Sequence, residues 1–363
     1  MRPVETSREQ LLSFSTDPEL ERRWRVLDGP IAGNLRFGLL LEVLDALAGE
    51  IAVSYARPRP PRQRIVTAAL DEIVVRNVAD VARDVRCSAR VNHVGRSSLE
   101  VGIRVESPGE PSHLASCYFT MAAREGDGDG ERALLLPPLE PADDLERARA
   151  ARAEARREAL RREAVSAFQP PTPEEYALIA GLYRAQEAPG FSGLAVRQLT
   201  METWERTYPE QDNPWKTIFG GYLMRRAYEL SQLCAETVAP QRPLLAAVNR
   251  IRFVRPVQIG DKLHLTSRVV YTAGPAVCVE TSIERLSRDR TVRALSNSCL
   301  FTFLNVGPAL EPLEVPPVYP GSHAEEARYL AARRNLLGLA ARTTKGWLAS
   351  HLGAAAGDAG RGR

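Results

Sequence analysis

No part of this 363-residue chain approaches the roughly 20 consecutive apolar residues that a membrane-crossing helix needs, so a spanning segment is not expected. Charge of one sign is also missing. Lys and Arg number 48 against 45 Asp and Glu, and a net charge of +3 is too small to surround the molecule with a field that attracts nucleic acid. Paired cysteines are absent as well: Cys87, Cys117, Cys234, Cys278 and Cys299 are odd in number, scattered, and never at metal or redox spacing. They read as reduced, mostly buried thiols. His93, His113, His264, His323 and His351 form no ligand cluster either, so a metal is not expected. Residues 1–30 carry Glu5, Glu9, Asp17, Glu19 and Glu21 without a long apolar run, unlike a secretory signal or an acid-poor transit peptide. A cytoplasmic location is the resulting expectation.

What is present is an ordinary globular balance, 44% apolar and 26% charged, over a length that suits two domains. A first domain is expected over residues 20–130 and a second over 197–306, with a charged helical connector at 141–190 between them. The remaining 307–363 read as a C-terminal extension, partly disordered. The connector is rich in Arg, Ala and Glu, with same-face pairs such as Glu158 and Arg162 at i,i+4, as in a solvated helix.

The two blocks repeat one pattern. Each opens on glycine and an apolar helix, LLLEVLDALAGEIAVSYA after Gly38 and YLMRRAYELSQLCAETVA after Gly220 and Gly221. Strand-like runs follow in the same order, among them SSLEVGIRVES, whose Leu99, Val101, Ile103 and Val105 alternate as in a half-buried antiparallel strand. Val101 and Val279 lie 178 positions apart, as do Ala69 and Ala247, and Ile73 and Ile251. A long helix followed by antiparallel strands implies an α+β domain in which a sheet curls around a helix, the hotdog arrangement. Two fused hotdog domains paired edge to edge would also remove an open sheet edge.

The stretches NLRFGLLLEVLDALAG, IVTAALDEI and above all NPWKTIFGGYLMRRAYEL, from Asn213, resemble the mitochondrial-type acyl-CoA thioesterases with two fused hotdog domains. The resemblance runs from about Glu21 to Leu330. It implies hydrolysis of fatty acyl-CoA to free fatty acid and CoA, with CoA part of the substrate and no separate cofactor. It also implies a homotrimer, which would cover the exposed sheet faces of a lone pair, and it makes the mitochondrial matrix an alternative compartment.

Helix-start N–H groups lack intrahelical partners and can donate to an oxygen that becomes negative, as a thioester carbonyl does on turning tetrahedral. By the resemblance, Gly220 and Gly221 form that oxyanion site; they also fit a purely structural role, letting the helix pack tightly. Asn213 stands where related two-domain enzymes carry a catalytic Asn or Asp. An amide orients water or binds a carbonyl but is no base, so a carboxylate is needed. Asp45, seven residues after Gly38, occupies the position of the base or nucleophile in several relatives, and Glu229, eight after Gly221, is its expected counterpart. Sites between hotdogs combine one domain's helix start with the other's acid. The expected working site is therefore Asn213, Gly220 and Gly221 with Asp45. The mirror site, Gly38 and Asn34 with Glu229, is expected to be weak, because Phe37 replaces the first glycine and Pro30 stands where Asn213 does. Both acids also fit structural roles, Glu42 could be confused functionally with Asp45, and Trp215 reads as packing. Arg225, Arg226, Arg250, Arg252 and Arg255 are candidates for the CoA phosphates or simply for solubility. Two other readings stay open. One is a non-catalytic acyl-CoA-binding or assembly protein. The other is a hotdog hydratase or dehydratase, whose chemistry wants a histidine at the helix start that this chain lacks.

Overall fold

The structure is a computed structural model describing residues 1–57, 62–109, 112–126, 131–166 and 170–352; the side chains of 160, 162–166 and 250 are also outside the description. The expected disorder of the C-terminal end falls partly on 353–363, which lie outside the described residues.

The first half comprises β1 (Arg8–Leu12), α1 (Pro18–Trp24), α2 (Phe37–Ala56), β2 (Gln63–Val75), β3 (Val85–Val94), β4 (Ser98–Glu106), β5 (His113–Glu125) and the short β6 (Arg132–Ala133). Two helices follow, α3 (Asp144–Ser166) and α4 (Pro173–Glu187), then the short β7 (Leu194–Ala195). The second half holds β8 (Thr200–Arg206), α5 (Gly220–Glu236), β9 (Pro243–Phe253), β10 (Lys262–Ala273), β11 (Ala276–Leu286) and β12 (Arg293–Asn305). The short β13 (Val318–Tyr319) and α6 (His323–Arg342) follow.

One continuous antiparallel sheet runs β1-β3-β4-β5-β2-β9-β12-β11-β10-β8, so the two halves meet where β2 pairs with β9, from Ala69 opposite Arg252 to Val74 opposite Ala247. The halves are two hotdogs. Their equivalence extends to residue register: Val91 pairs with Val101 and Val269 with Val279, while Ala69 pairs with Thr120 and Ala247 with Thr302. Even the local irregularity repeats, between Thr67 and Ala69 in β2 and between Leu245 and Ala247 in β9. Thr67 and Leu245 are therefore structural counterparts.

The core lies between the curled sheet and the paired helices. Helix α2 buries Leu40, Leu41, Leu44, Leu47, Ala48, Ile51 and Ala52, wider than one stripe, because it packs against α5 as well as the sheet. Strand β4 buries Leu99, Val101, Ile103 and Val105 as alternation requires. No strand ahead of either helix was read from the sequence, yet β1 and β8 form the two ends of the sheet. The outer faces are covered in part by the chain itself. Arg156 of α3 lies 3.6 Å over the Tyr118 ring and bonds Glu100, and Tyr329 of α6 meets Tyr271 edge-on at 4.8 Å. The exposed faces invoked for a trimer are thus reduced. All five cysteines are buried, and burial alone pushes the Cys87 thiol up to about 12.

Candidate active site

Asp45 sits on the third turn of α2 with 1% of its surface exposed. Two donors hold it: the Thr67 hydroxyl donates to Oδ1 at 2.7 Å, and the Gly221 N–H of the other half donates to Oδ2 at 2.7 Å. Burial raises its pKa to about 6, and the Thr67 and Gly221 hydrogen bonds pull in the opposite direction.

The glycines make this approach possible. A Cβ on Gly220 would lie 3.0 Å from Asp45 Oδ2, and one on Gly221 would lie 2.9 Å from the Glu42 Cα and 2.5 Å from the Phe219 ring. The close-packing reading of the pair therefore holds. The close packing is real, but in the resting structure the Gly221 N–H is occupied by Asp45, which leaves Gly220 as the helix-start donor beside the cavity.

Asn213 lies on the loop before α5 and lines the same cavity as Asp45 and Gly220. Its Oδ1 accepts from the Trp215 N–H at 2.9 Å and the Thr217 N–H at 3.3 Å, which fixes the amide orientation. Its Nδ2 donates one hydrogen to Thr217 Oγ1 at 2.8 Å, leaving the second for a substrate or water. The cavity encloses about 1010 Å³, with Trp215, Phe253, Leu223, Val66 and Arg255 in its wall. Trp215 thus faces the cavity instead of serving only as packing. Thr67 was not singled out from sequence; a hydroxyl inside an apolar strand was the available signal.

A profile of the thioesterase superfamily matches residues 32–112 and again 216–292. Human mitochondrial acyl-coenzyme A thioesterase 9 is 28% identical over 347 residues, covering 90% of this chain and 76% of that protein. The chloroplastic acyl-coenzyme A thioesterase 2 of Humulus lupulus is 30% identical over 315 residues, 81% of this chain and 71% of that one. The chain belongs to the acyl-CoA thioesterase family. The organelles in those names are the relatives' own, and the cytoplasmic expectation for this chain is a matter for cell fractionation. Among the described residues, no helix is long and apolar enough to cross a membrane.

Within this acyl-CoA thioesterase family chain, the two inter-hotdog sites differ. Counting from the helix starts Phe37 and Gly220, the counterpart of Asp45 is Tyr228, not Glu229. Tyr228 is buried, and its ring packs 5.9 Å from that of Phe37. Glu229, one residue further round the helix, has its carboxylate taken by Arg225 at 2.9 Å, by Arg226 and by Arg36 at 3.5 Å. The expected acid of the mirror site is thus an ion-pair residue. Asn34 is also spent locally, accepting from Val26 and Leu27 N–H and donating to the Leu27 and Gly29 carbonyls.

The arginines divide likewise. Arg225 bonds Glu229 and lies 3.3 Å from Glu42, and Arg226 bonds Glu205 and Glu229, so neither is available to a phosphate as expected. The same contact takes Glu42 out of contention as a base. Arg255 is exposed at the Asp45 cavity, and Arg252 lines an adjoining recess with Arg157 and Arg161. The Arg250 side chain is outside the description. Among the described residues, no group of three His, Cys, Asp or Glu side chains could hold a metal ion.

Proposed function

We propose that this chain hydrolyses fatty acyl-CoA at the Asp45 cavity by base-assisted attack of water. The observation that carries the reading is a buried carboxylate held between Thr67 of its own half and the α5 start of the other, with a pKa raised to about 6, facing a large cavity. A pKa near 6 keeps most of the group ionised at neutral pH yet basic enough to accept a proton. Asp45 takes a proton from water as the new C–O bond forms. Asn213 Nδ2 and the Gly220 N–H donate to the carbonyl oxygen as it becomes negative. The tetrahedral intermediate then expels the CoA thiolate as the C–S bond breaks, and the proton passes to the thiolate. The reaction needs no cofactor, since CoA is part of the substrate. Arg252 and Arg255 are the cations we assign to its phosphates.

Thiol release from acyl-CoAs of increasing chain length tests this reading. Asp45→Asn keeps size and polarity but removes the base, and its kcat is expected to fall about 100-fold to 1000-fold. Glu229→Gln is expected to keep most activity. Release unaffected by Asp45→Asn would remove the assigned base, and no release from any acyl-CoA would favour the non-catalytic binding reading. A hydratase is disfavoured because no histidine lines the cavity. We also propose a homotrimer, on the family resemblance; a mass of 40.0 kDa by light scattering at micromolar concentration would count against it.

A further inference from the structure

The Asp45 cavity has a counterpart. A second cavity of about 270 Å³ opens on the other side of the α2–α5 pair, and its wall repeats the first position by position. Tyr228 stands for Asp45, Leu245 for Thr67, Phe37 for Gly220 and Leu244 for Val66. The carboxylate, the hydroxyl and the glycine of the Asp45 cavity are thus replaced by larger or apolar side chains, and the space is narrower but still open. The larger side chains narrow it to about a quarter of the Asp45 cavity without closing it.

The polar end of this cavity also differs from its counterpart. Arg64 lines the Asp45 cavity and is held by Glu131 at 3.1 Å. Its equivalent Arg242 lines the second cavity, and its Nε and Nη2 are buried with no hydrogen-bond partner among the described residues. Burial pulls that guanidinium below its usual range, with the charge of Glu311 opposing the effect. Arg242 is half-buried, but guanidinium nitrogens held out of water without a partner carry a desolvation cost that a planar carboxylate relieves through two parallel N–H···O bonds.

We propose that this second cavity is a non-hydrolytic binding site for a short- to medium-chain aliphatic carboxylate, its chain among Phe37, Leu40, Tyr228 and Leu245 and its carboxylate on Arg242. The choice of ligand rests on the thioesterase reading, because free fatty acid is the class of product that reaction releases; the cavity and its arginine do not. A single anionic group fits better than the several phosphates of CoA, since Glu236 and one arginine are the charged residues lining the cavity.

Octanoate binding to the full chain by calorimetry, with octanol as the uncharged control, tests the site without using turnover. Arg242→Gln is expected to weaken octanoate binding to this cavity at least tenfold and leave octanol unchanged. Leu244→Trp, which fills the cavity, is expected to abolish both. The part of the ligand-induced fluorescence change that is lost in Trp215→Phe reports separately on occupancy of the Asp45 cavity. Crystals of the unmodified protein soaked in 8-bromooctanoate are expected to show anomalous bromine signal between Phe37 and Leu245, a readout independent of how the variants fold. Bromine only beside Trp215, or octanoate affinity unchanged in both variants, would overturn the proposal. Arg242-dependent binding in a protein that releases no thiol would uphold the site and remove the thioesterase reading. Thiol release without bromine in the second cavity would do the reverse.

Discussion

Asp45 is asked to be both buried and ionisable. Its rise from 3.8 to about 6 means that the folded state prefers the protonated acid, by roughly 3 kcal/mol over the whole shift. Because the folded pKa lies above the unfolded one, that stability is fully present below about pH 4 and is lost as pH rises through 6. Asp45→Asn, which has no charge to bury, is expected to raise the melting temperature at pH 7.5 and to lose that advantage by pH 4, as differential scanning calorimetry at both values would show. The pH profile of kcat/KM is expected to rise through about 6 as Asp45 ionises. Thr67→Val removes a hydrogen bond that lowers the pKa, so its inflection is expected to move upward, with activity at pH 6 falling more than at pH 8. An unmoved inflection would detach Thr67 from the carboxylate. The sequence pointed to Asp45 through its spacing from Gly38 at the head of an apolar helix and through resemblance. It did not point to Tyr228, because matching by acidity chose Glu229, whereas counting from each helix start selects the tyrosine.

Helices α2 and α5 owe their separation to small residues. Gly221 stands against the Glu42 backbone, and no rotamer change moves a Cα out of the way of an added methyl. Gly221→Ala is therefore expected to push α5 away from α2, destabilising by about 1–3 kcal/mol in a urea melt. It also lengthens the Gly221 N–H to Asp45 contact, so kcat is expected to drop by more than stability alone explains. Unaltered activity and stability would show that the helices have room to spare. The helices and their glycine starts were legible from apolar spacing, and so were the strand runs that follow. Strands β1 and β8 were not, since Arg8–Leu12 and Thr200–Arg206 are short and alternate weakly, and pairing with β3 and β10 is what makes them strands.

At the scale of the molecule, the join between halves is both a sheet ladder and a helix interface. Cutting at the connector would expose the β2 and β9 edges together with the facing sides of α2 and α5. Residues 1–166 and 170–363 produced separately are expected to aggregate or to elute as disordered species, and to recover thiol release only when refolded together. Two well-folded, independently monomeric halves on size exclusion would contradict this. Activity in either half alone would contradict the shared site, because Asp45 and Gly221 belong to different halves.

The sequence by itself determined the duplication, the α+β character of each unit and the residues able to supply a base, because periodicity, spacing and side-chain chemistry are local properties of the chain. The glycine pair and Asn213 already favoured the Asp45 side, but only the tertiary structure showed what stands opposite in each of the two inter-hotdog spaces. That depends on which side chains meet across the α2–α5 pair: a carboxylate, a hydroxyl and a helix-start amide on one side, a tyrosine, a leucine and a phenylalanine on the other. It also decided the arginines, since Arg225 and Arg226 look free in sequence and become tied once folding brings Glu42, Glu205 and Glu229 within reach.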